Sequence, residues 1–145
     1  MKVAHGTLVM AIDGEKLLLF RNKGDETYPV LETLLHEEQT HSSTREQGSD
    51  HPGRSISSVG PRRSSYGETD WHRQGEERFA IHAAKVLEAA AADVDHGIIV
   101  LAPPATLGIL RKHWGRRTRA QLLTEIDKDF VHRETDDVIA VIAAE

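Results

Sequence analysis

One polar stretch interrupts an otherwise core-forming chain, and this break limits the possible folds more than any other feature. Residues 39–75 contain only four apolar side chains in 37 positions, whereas the other 108 residues contain 52. A stretch this polar buries too little apolar surface to offset the entropy of ordering its backbone. Because the chain has 145 residues, we expect one domain over residues 1–145, with a long polar loop at residues 39–69.

The composition excludes several classes of protein. The chain has no cysteine, which rules out disulfide frameworks, thiol nucleophiles and cysteine-ligated metal sites. No apolar run approaches the roughly 20 residues of a membrane span, and the N-terminus lacks the pattern of a secretory signal. We therefore expect a cytoplasmic protein without a membrane span. The net charge of −5 gives no overall attraction to nucleic acid.

Short apolar runs in the first part of the chain predict three strands. They lie at Thr7–Ile12, Lys16–Arg21 and Val30–His36. Asp13-Gly14 separates the first two, and this pair favours a hairpin turn in which glycine takes a positive φ. Three strands joined by short links predict an antiparallel meander.

The second part alternates between helical and strand patterns. Asp70 is a suitable N-cap for a helix whose apolar stripe runs through residues 79–90. The run Gly97–Ala102 is short and β-branched, which is typical of a strand buried on both faces. Pro103-Pro104 then favours the start of a helix that ends near Trp114, with Gly115 following it.

The last part leaves one choice open. Residues 116–130 fit helical spacing, but a strand over Leu122–Asp127 is also compatible with them. Thr135 is a good N-cap for a terminal helix, since two aspartates follow it at the positive end of the helix dipole. The predicted fold class is α/β, with a mixed sheet covered by helices.

Several motifs resemble a known family. They are HGT at residues 5–7, REQGSDHPGR at 45–54, SVGPRRSS at 58–65, TDWH at 69–72, ERFA at 77–80, LAPPATLGILRK at 101–112 and EIDKDF at 125–130. Together they resemble the bacterial host attachment proteins, also called proteins required for attachment to host cells. The match keeps the order and spacing of the motifs over nearly the whole chain.

This family is in turn similar to the central domain of archaeo-eukaryotic class-one release factors. The similarity implies a five-stranded mixed sheet of ribonuclease-H-like topology, with helices on both faces and a strand at Leu122–Asp127. In release factors the loop between the third strand and the first helix carries Gly-Gly-Gln, which enters the peptidyl transferase centre. The corresponding residues 39–69 contain Gln47-Gly48 but no Gly-Gly-Gln, so the resemblance assigns hydrolysis to no residue here. It implies a polar loop presented to a large ribonucleoprotein.

Two sets of arginines are candidates for contact with RNA or another anionic partner. The loop contains Arg45, Arg54, Arg62 and Arg63 and no lysine, and arginine binds phosphate with two parallel hydrogen bonds. A second set is Arg111, Arg116 and Arg117, which belong to a run of five cations within nine positions. The alternative for the loop is a solvated surface. The alternative for the run is stabilisation of a helix C-terminus by positive charge.

Other chemistry has weaker signals. Two histidine pairs, His36 with His41 and His72 with His82, lack the helical i, i+4 spacing of a zinc site. A metal-dependent nuclease would need a cluster of acids, for which the candidates are Asp13, Glu76 or Glu77, and Asp127. We therefore predict no catalytic residue, no metal ligand and no cofactor.

These observations favour a non-catalytic binding module that associates with the ribosome or RNA through its arginine-rich loop. Two alternatives remain. One is a factor that supports bacterial attachment to host cells, by direct contact with the host-cell surface or indirectly. The other is an enzyme, either a metal-dependent nuclease or one resembling a peptidyl-tRNA hydrolase. The sequence leaves the oligomeric state open.

Overall fold

The computed structural model describes residues 1–39, 60–94 and 96–145. The strands are β1 (Leu8–Ile12), β2 (Lys16–Asn22), β3 (Leu31–Glu38), β4 (Ile98–Leu101) and β5 (Leu122–Ile126). The helices are α1 (Gly60–Ala90), α2 (Pro104–His113), α3 (Arg116–Gln121) and α4 (Thr135–Ala143), and a 3-10 turn at Ala91–Asp93 extends α1.

The strands form one mixed sheet in the order β3-β2-β1-β4-β5. The pairs β1–β2 and β2–β3 are antiparallel, whereas β1–β4 and β4–β5 are parallel. This arrangement confirms the predicted meander and the five-stranded mixed sheet. It also puts the C-terminal ends of β1, β4 and β5 at one edge of the sheet and their N-terminal ends at the opposite edge.

The sheet has an apolar layer on each face, because its side chains alternate in direction along each strand. On one face Leu8, Met10 and Ile12 of β1 pack in a cluster with buried side chains of α1 and α2. On the other face Val9 and Ala11 pack in a cluster with Val138 and Ile142 of α4. Helices therefore cover both faces, as predicted.

The ambiguous stretch after Gly115 divides into both predicted alternatives. A six-residue helix, α3, is followed directly by the five-residue strand β5. β5 pairs in parallel with β4, so Leu122 lies opposite Ile98 and Ile126 lies opposite Leu101. The strand is fixed by this pairing, which local helical spacing does not reveal.

The predicted loop at residues 39–69 is too long, because α1 begins at Gly60 and not after Asp70. Asp70 lies inside the helix and cannot be its N-cap. Pro61 is the second residue of α1. In the first turn of a helix the backbone N–H groups have no partner within the helix, so the missing N–H of proline costs nothing there. Extending an existing helix by further turns also costs far less free energy than nucleating a new helix. A polar segment can therefore extend α1 beyond the part that packs on the sheet. Residues 40–59, which join β3 to α1, lie outside the described residues.

Two local details of the prediction were also wrong. The Asp13-Gly14 hairpin is present, but Gly14 does not have a positive φ. Instead, Oδ1 of Asp13 accepts hydrogen bonds from the backbone N–H groups of Glu15 (2.8 Å) and Lys16 (2.7 Å), so the turn is closed by its side chain. At α4 the N-cap position belongs to Glu134, whose backbone is extended, and Thr135 is the first helical residue.

Asn22, at the end of β2, is a buried hydrogen-bonding centre that the sequence did not indicate. Its Oδ1 accepts the backbone N–H groups of Gly24 and Val30, both at 2.9 Å. Its Nδ2 donates to the carbonyl oxygens of Val3 (3.0 Å) and Ala4 (3.2 Å). The side chain thus ties the N-terminal segment to both ends of the β2–β3 loop.

The described part of the chain has no helix that is both long and apolar enough to cross a membrane.

Candidate nucleic-acid interface

The second arginine set lies where α2 ends and α3 begins. We call residues 111–119 the α2–α3 corner. Five cationic side chains of this corner are exposed: Arg111, Lys112, Arg116, Arg117 and Arg119. Because α2 follows β4 and runs back across the sheet, and β5 begins directly after α3, the corner lies near the N-terminal ends of the parallel strands.

Helix dipoles explain only part of this charge. Arg111 and Lys112 are in the last turn of α2, where positive charge is favourable. Arg116 and Arg117, however, are the first two residues of α3, where the dipole disfavours cations. The alternative based on dipoles therefore accounts for the end of α2 but not for the start of α3.

Glu88 of α1 stabilises the start of α3 in place of a local cap. Its carboxylate accepts hydrogen bonds from the backbone N–H groups of Arg117 (3.1 Å) and Thr118 (2.9 Å) and from the Thr118 hydroxyl (3.0 Å). The backbone hydrogen bond from Thr118 is the largest cause that lowers the pKa of Glu88 below its ordinary value of 4.5, while desolvation opposes it. An ionised carboxylate thus offsets the unfavourable placement of Arg116 and Arg117.

Gly115 is required by this contact. A Cβ atom at Gly115 would overlap the carboxylate of Glu88, because it would lie closer than real side-chain carbons approach. The sequence suggested that Gly115 ends α2. The structure shows that it lets α1 approach the corner closely enough for Glu88 to reach α3.

The remaining contacts hold the corner in shape. Glu125 of β5 accepts hydrogen bonds from Nε of Arg111 (3.0 Å) and Nε1 of Trp114 (2.9 Å). Nε of Arg119 donates to the carbonyl oxygen of Trp114 at 3.0 Å. Trp114 is 7% exposed, so its ring faces the core. Within the described residues, Lys112 and Arg116 form no ion pair, whereas the charge of Arg117 acts on the Glu88 carboxylate and helps to lower its pKa.

Residues 62 and 63 are separated from the corner by most of the length of α1. Arg45 and Arg54 lie outside the described residues, whereas residues 62 and 63 are in the first turn of α1. Residue 63 precedes Glu88 by 25 positions in one helix, which corresponds to about 38 Å along its axis. The backbone of residues 62 and 63 therefore lies at the opposite end of α1 from Glu88 and the corner.

The acids proposed for a nuclease do not assemble a metal site. Oδ2 of Asp13 pairs with Nε2 of His132 at 3.1 Å, and the side chain of Glu76 lies against Gly14. Across the described ranges, no group of three histidine, aspartate or glutamate residues could hold a metal ion. His82 instead pairs with Glu37 at 2.7 Å, which joins α1 to β3. His41 lies outside the described residues.

Sequence reasoning missed the residues that build the corner. Glu88 reaches Thr118 across 30 positions, and Glu125 reaches Trp114 across 11. No local motif marks such pairs. The only available signal was the run of cations itself, which shows the charge but not its support.

The fold and this surface define a class of protein: a small mixed α/β domain with a basic corner and a long connection between its third strand and first helix. A family described as bacterial archaeo-eukaryotic release factor family 12 matches residues 6–142. The chain belongs to this family, which confirms the release-factor-like part of the resemblance and indicates a role connected with translation or RNA. No curated protein matches the chain.

Proposed function

We propose that the protein is a non-catalytic binding module of the cytoplasm that associates with the ribosome through RNA. The first contact is made by Arg45 and Arg54 of the connection between β3 and α1, together with Arg62 and Arg63 at the start of α1. The α2–α3 corner provides a second contact. The observation that carries the proposal is the family match over residues 6–142, because it includes this connection. The connection occupies the place of the release-factor loop, contains arginines and lacks Gly-Gly-Gln.

The charge distribution of the corner supports binding of an anionic partner. In the corner, Arg116 is exposed and forms no salt bridge among the described residues, and Arg117 is exposed but lies near enough to Glu88 for its charge to lower the pKa of that carboxyl group. Glu88 offsets the unfavourable placement of these cations at the start of α3, and their exposed guanidinium groups remain accessible to a partner. Phosphates of RNA are such a partner, since neutralising them releases counterions.

Sedimentation of a cell lysate through a sucrose gradient tests the proposal. At low salt the protein should move with ribosomal particles, and the association should decline steeply as salt rises. A protein that stays at the top of the gradient at every salt concentration contradicts ribosome association.

A set of substitutions tests the loop. Changing Arg45, Arg54, Arg62 and Arg63 to alanine should abolish ribosome association while the protein stays folded. A matched control removes four cations elsewhere, by changing Lys23, Lys85, Lys128 and Arg133 to alanine. Equal loss in both variants would show that total charge matters and the loop does not, and unchanged association in the first variant would remove the loop from the interface.

A second candidate function rests on the motifs shared with host attachment proteins. We propose that the protein supports attachment of the bacterium to host cells indirectly, through an effect on translation. Deletion of the gene should then reduce attachment, whereas protease treatment of intact cells should leave the protein uncut. Exposure of the protein at the cell surface would favour direct contact with the host and contradict the indirect role.

A further inference from the structure

The chemistry of the α2–α3 corner narrows the kind of RNA it fits. We propose that the corner binds the phosphate backbone of double-helical RNA rather than the bases of a single strand. This inference rests on the proposed function, because it names the partner of one of the two surfaces.

The aromatic ring of the corner faces the core and not the solvent. Single-strand binding surfaces stack bases on exposed aromatic side chains. Trp114 is the one tryptophan, tyrosine or phenylalanine between residues 104 and 126. It is 7% exposed, and its Nε1 is hydrogen bonded to Glu125. The corner therefore offers phosphate-binding cations without a large ring for stacking.

The backbone donors at the start of α3 are already occupied by Glu88. The N–H groups of Arg117 and Thr118 at the start of α3 both donate to Glu88. They are consequently not available to a bound anion. A partner therefore contacts the exposed side chains of Lys112, Arg116 and Arg117. These side chains carry charge, but no hydrogen bond among the described residues orients them to recognise the edges of bases.

Hydrogen bonds of Arg111 and Arg119 brace the corner. Arg111 is held by Glu125 through Nε at 3.0 Å, and Arg119 is held by the carbonyl oxygen of Trp114 at 3.0 Å. These two contacts fix the backbone of the corner, so that only the side chains of Lys112, Arg116 and Arg117 lose freedom when they bind a regular array of phosphates. Duplex RNA provides such an array, and proteins recognise it mainly by shape and by phosphate and 2′-hydroxyl contacts.

The experiment compares fluorescence anisotropy of the full-length protein with an RNA duplex of about 16 base pairs and with each of its separate strands. The wild-type protein should bind the duplex more tightly than either strand. Changing Arg116 and Arg117 to alanine should reduce the slope of log K against log salt by about two, since each phosphate contact contributes about 0.9. Thermal melting checks that the variant is folded.

Two controls separate the corner from general charge and from stacking. The variant with Lys128 and Arg133 changed to alanine loses the same charge at the other end of β5, and its slope should equal that of the wild type. His113 is the exposed ring at the corner, and His113→Ala should leave duplex binding intact.

The possible outcomes distinguish the two proposals. Equal or tighter binding of a single strand, or an unchanged slope for the Arg116 and Arg117 variant, overturns the duplex inference. Loss of binding in His113→Ala overturns it in favour of stacking. Sedimentation with ribosomes but no duplex binding overturns this inference alone, whereas duplex binding without sedimentation supports it and contradicts ribosome association.

Discussion

Asn22→Asp should destabilise the fold strongly, although the two side chains have almost the same shape. Asn22 is fully buried, and Nδ2 donates to the carbonyl oxygens of Val3 and Ala4. An ionised aspartate would place an oxygen against those carbonyls, so the folded protein must bind a proton instead. Keeping an aspartate with an ordinary pKa of about 3.9 protonated at pH 7 costs about 4 kcal/mol, at 1.36 kcal/mol per pH unit.

Urea denaturation at several pH values measures this effect. Because folding would raise the pKa of the new carboxyl group, the penalty is present above the unfolded pKa and shrinks as pH falls. The loss in free energy of unfolding should therefore decrease from about 4 kcal/mol at pH 7 to about 1.5 kcal/mol at pH 5. Gln74→Glu, a similar change at an exposed position of α1, should have little effect. A loss under about 1 kcal/mol at pH 7, or one independent of pH, would refute the reasoning.

Three further predictions concern the corner and the apolar cluster between the sheet and α4. Gly115→Ala should displace the Glu88 carboxylate from α3 and lower stability by as much as Glu88→Ala. Combining the two changes should add nothing, and additive losses in urea denaturation would contradict the contact. Because folding lowers the pKa of Glu88, its ionised form adds stability above pH 4.5, which is lost as pH falls through the folded pKa. Glu88→Gln should therefore show a shallower acid-induced loss of stability, measured by thermal melting across pH. Ile142→Ala should cost about 2–5 kcal/mol because its side chain is fully buried, whereas Ile139→Ala on the half-buried side of α4 should cost clearly less.

Much of the fold was predictable because apolar periodicity reports burial directly. The run Gly97–Ala102 has no polar side chain, and its strand part, β4, is buried throughout. The N-terminal part of α1 was not predictable in the same way. Its sequence is polar, and polarity shows that a segment does not enter the core but not whether it is helical.

The support of the candidate site was not predictable for a different reason. Charge is visible in the sequence, so the cations of the corner could be found. Glu88, by contrast, resembles any glutamate on an amphipathic helix until α3 is placed beside it. Asn22 is similar, since its partners Val3 and Ala4 lie 19 and 18 positions away and no pattern marks them.

The length of α1 has a consequence for spacing. Among the residues of α1 whose burial the structure describes, Gly75 is the first buried one, and it lies against the side chain of Gln39, which directly follows β3. The fifteen helical positions before it correspond to about 22 Å of axial rise. Inserting or removing one turn in this part would move Gly60 by about 5.4 Å along the helix axis relative to Gly75. The number of turns in α1 thus sets how far from the sheet the connecting segment begins.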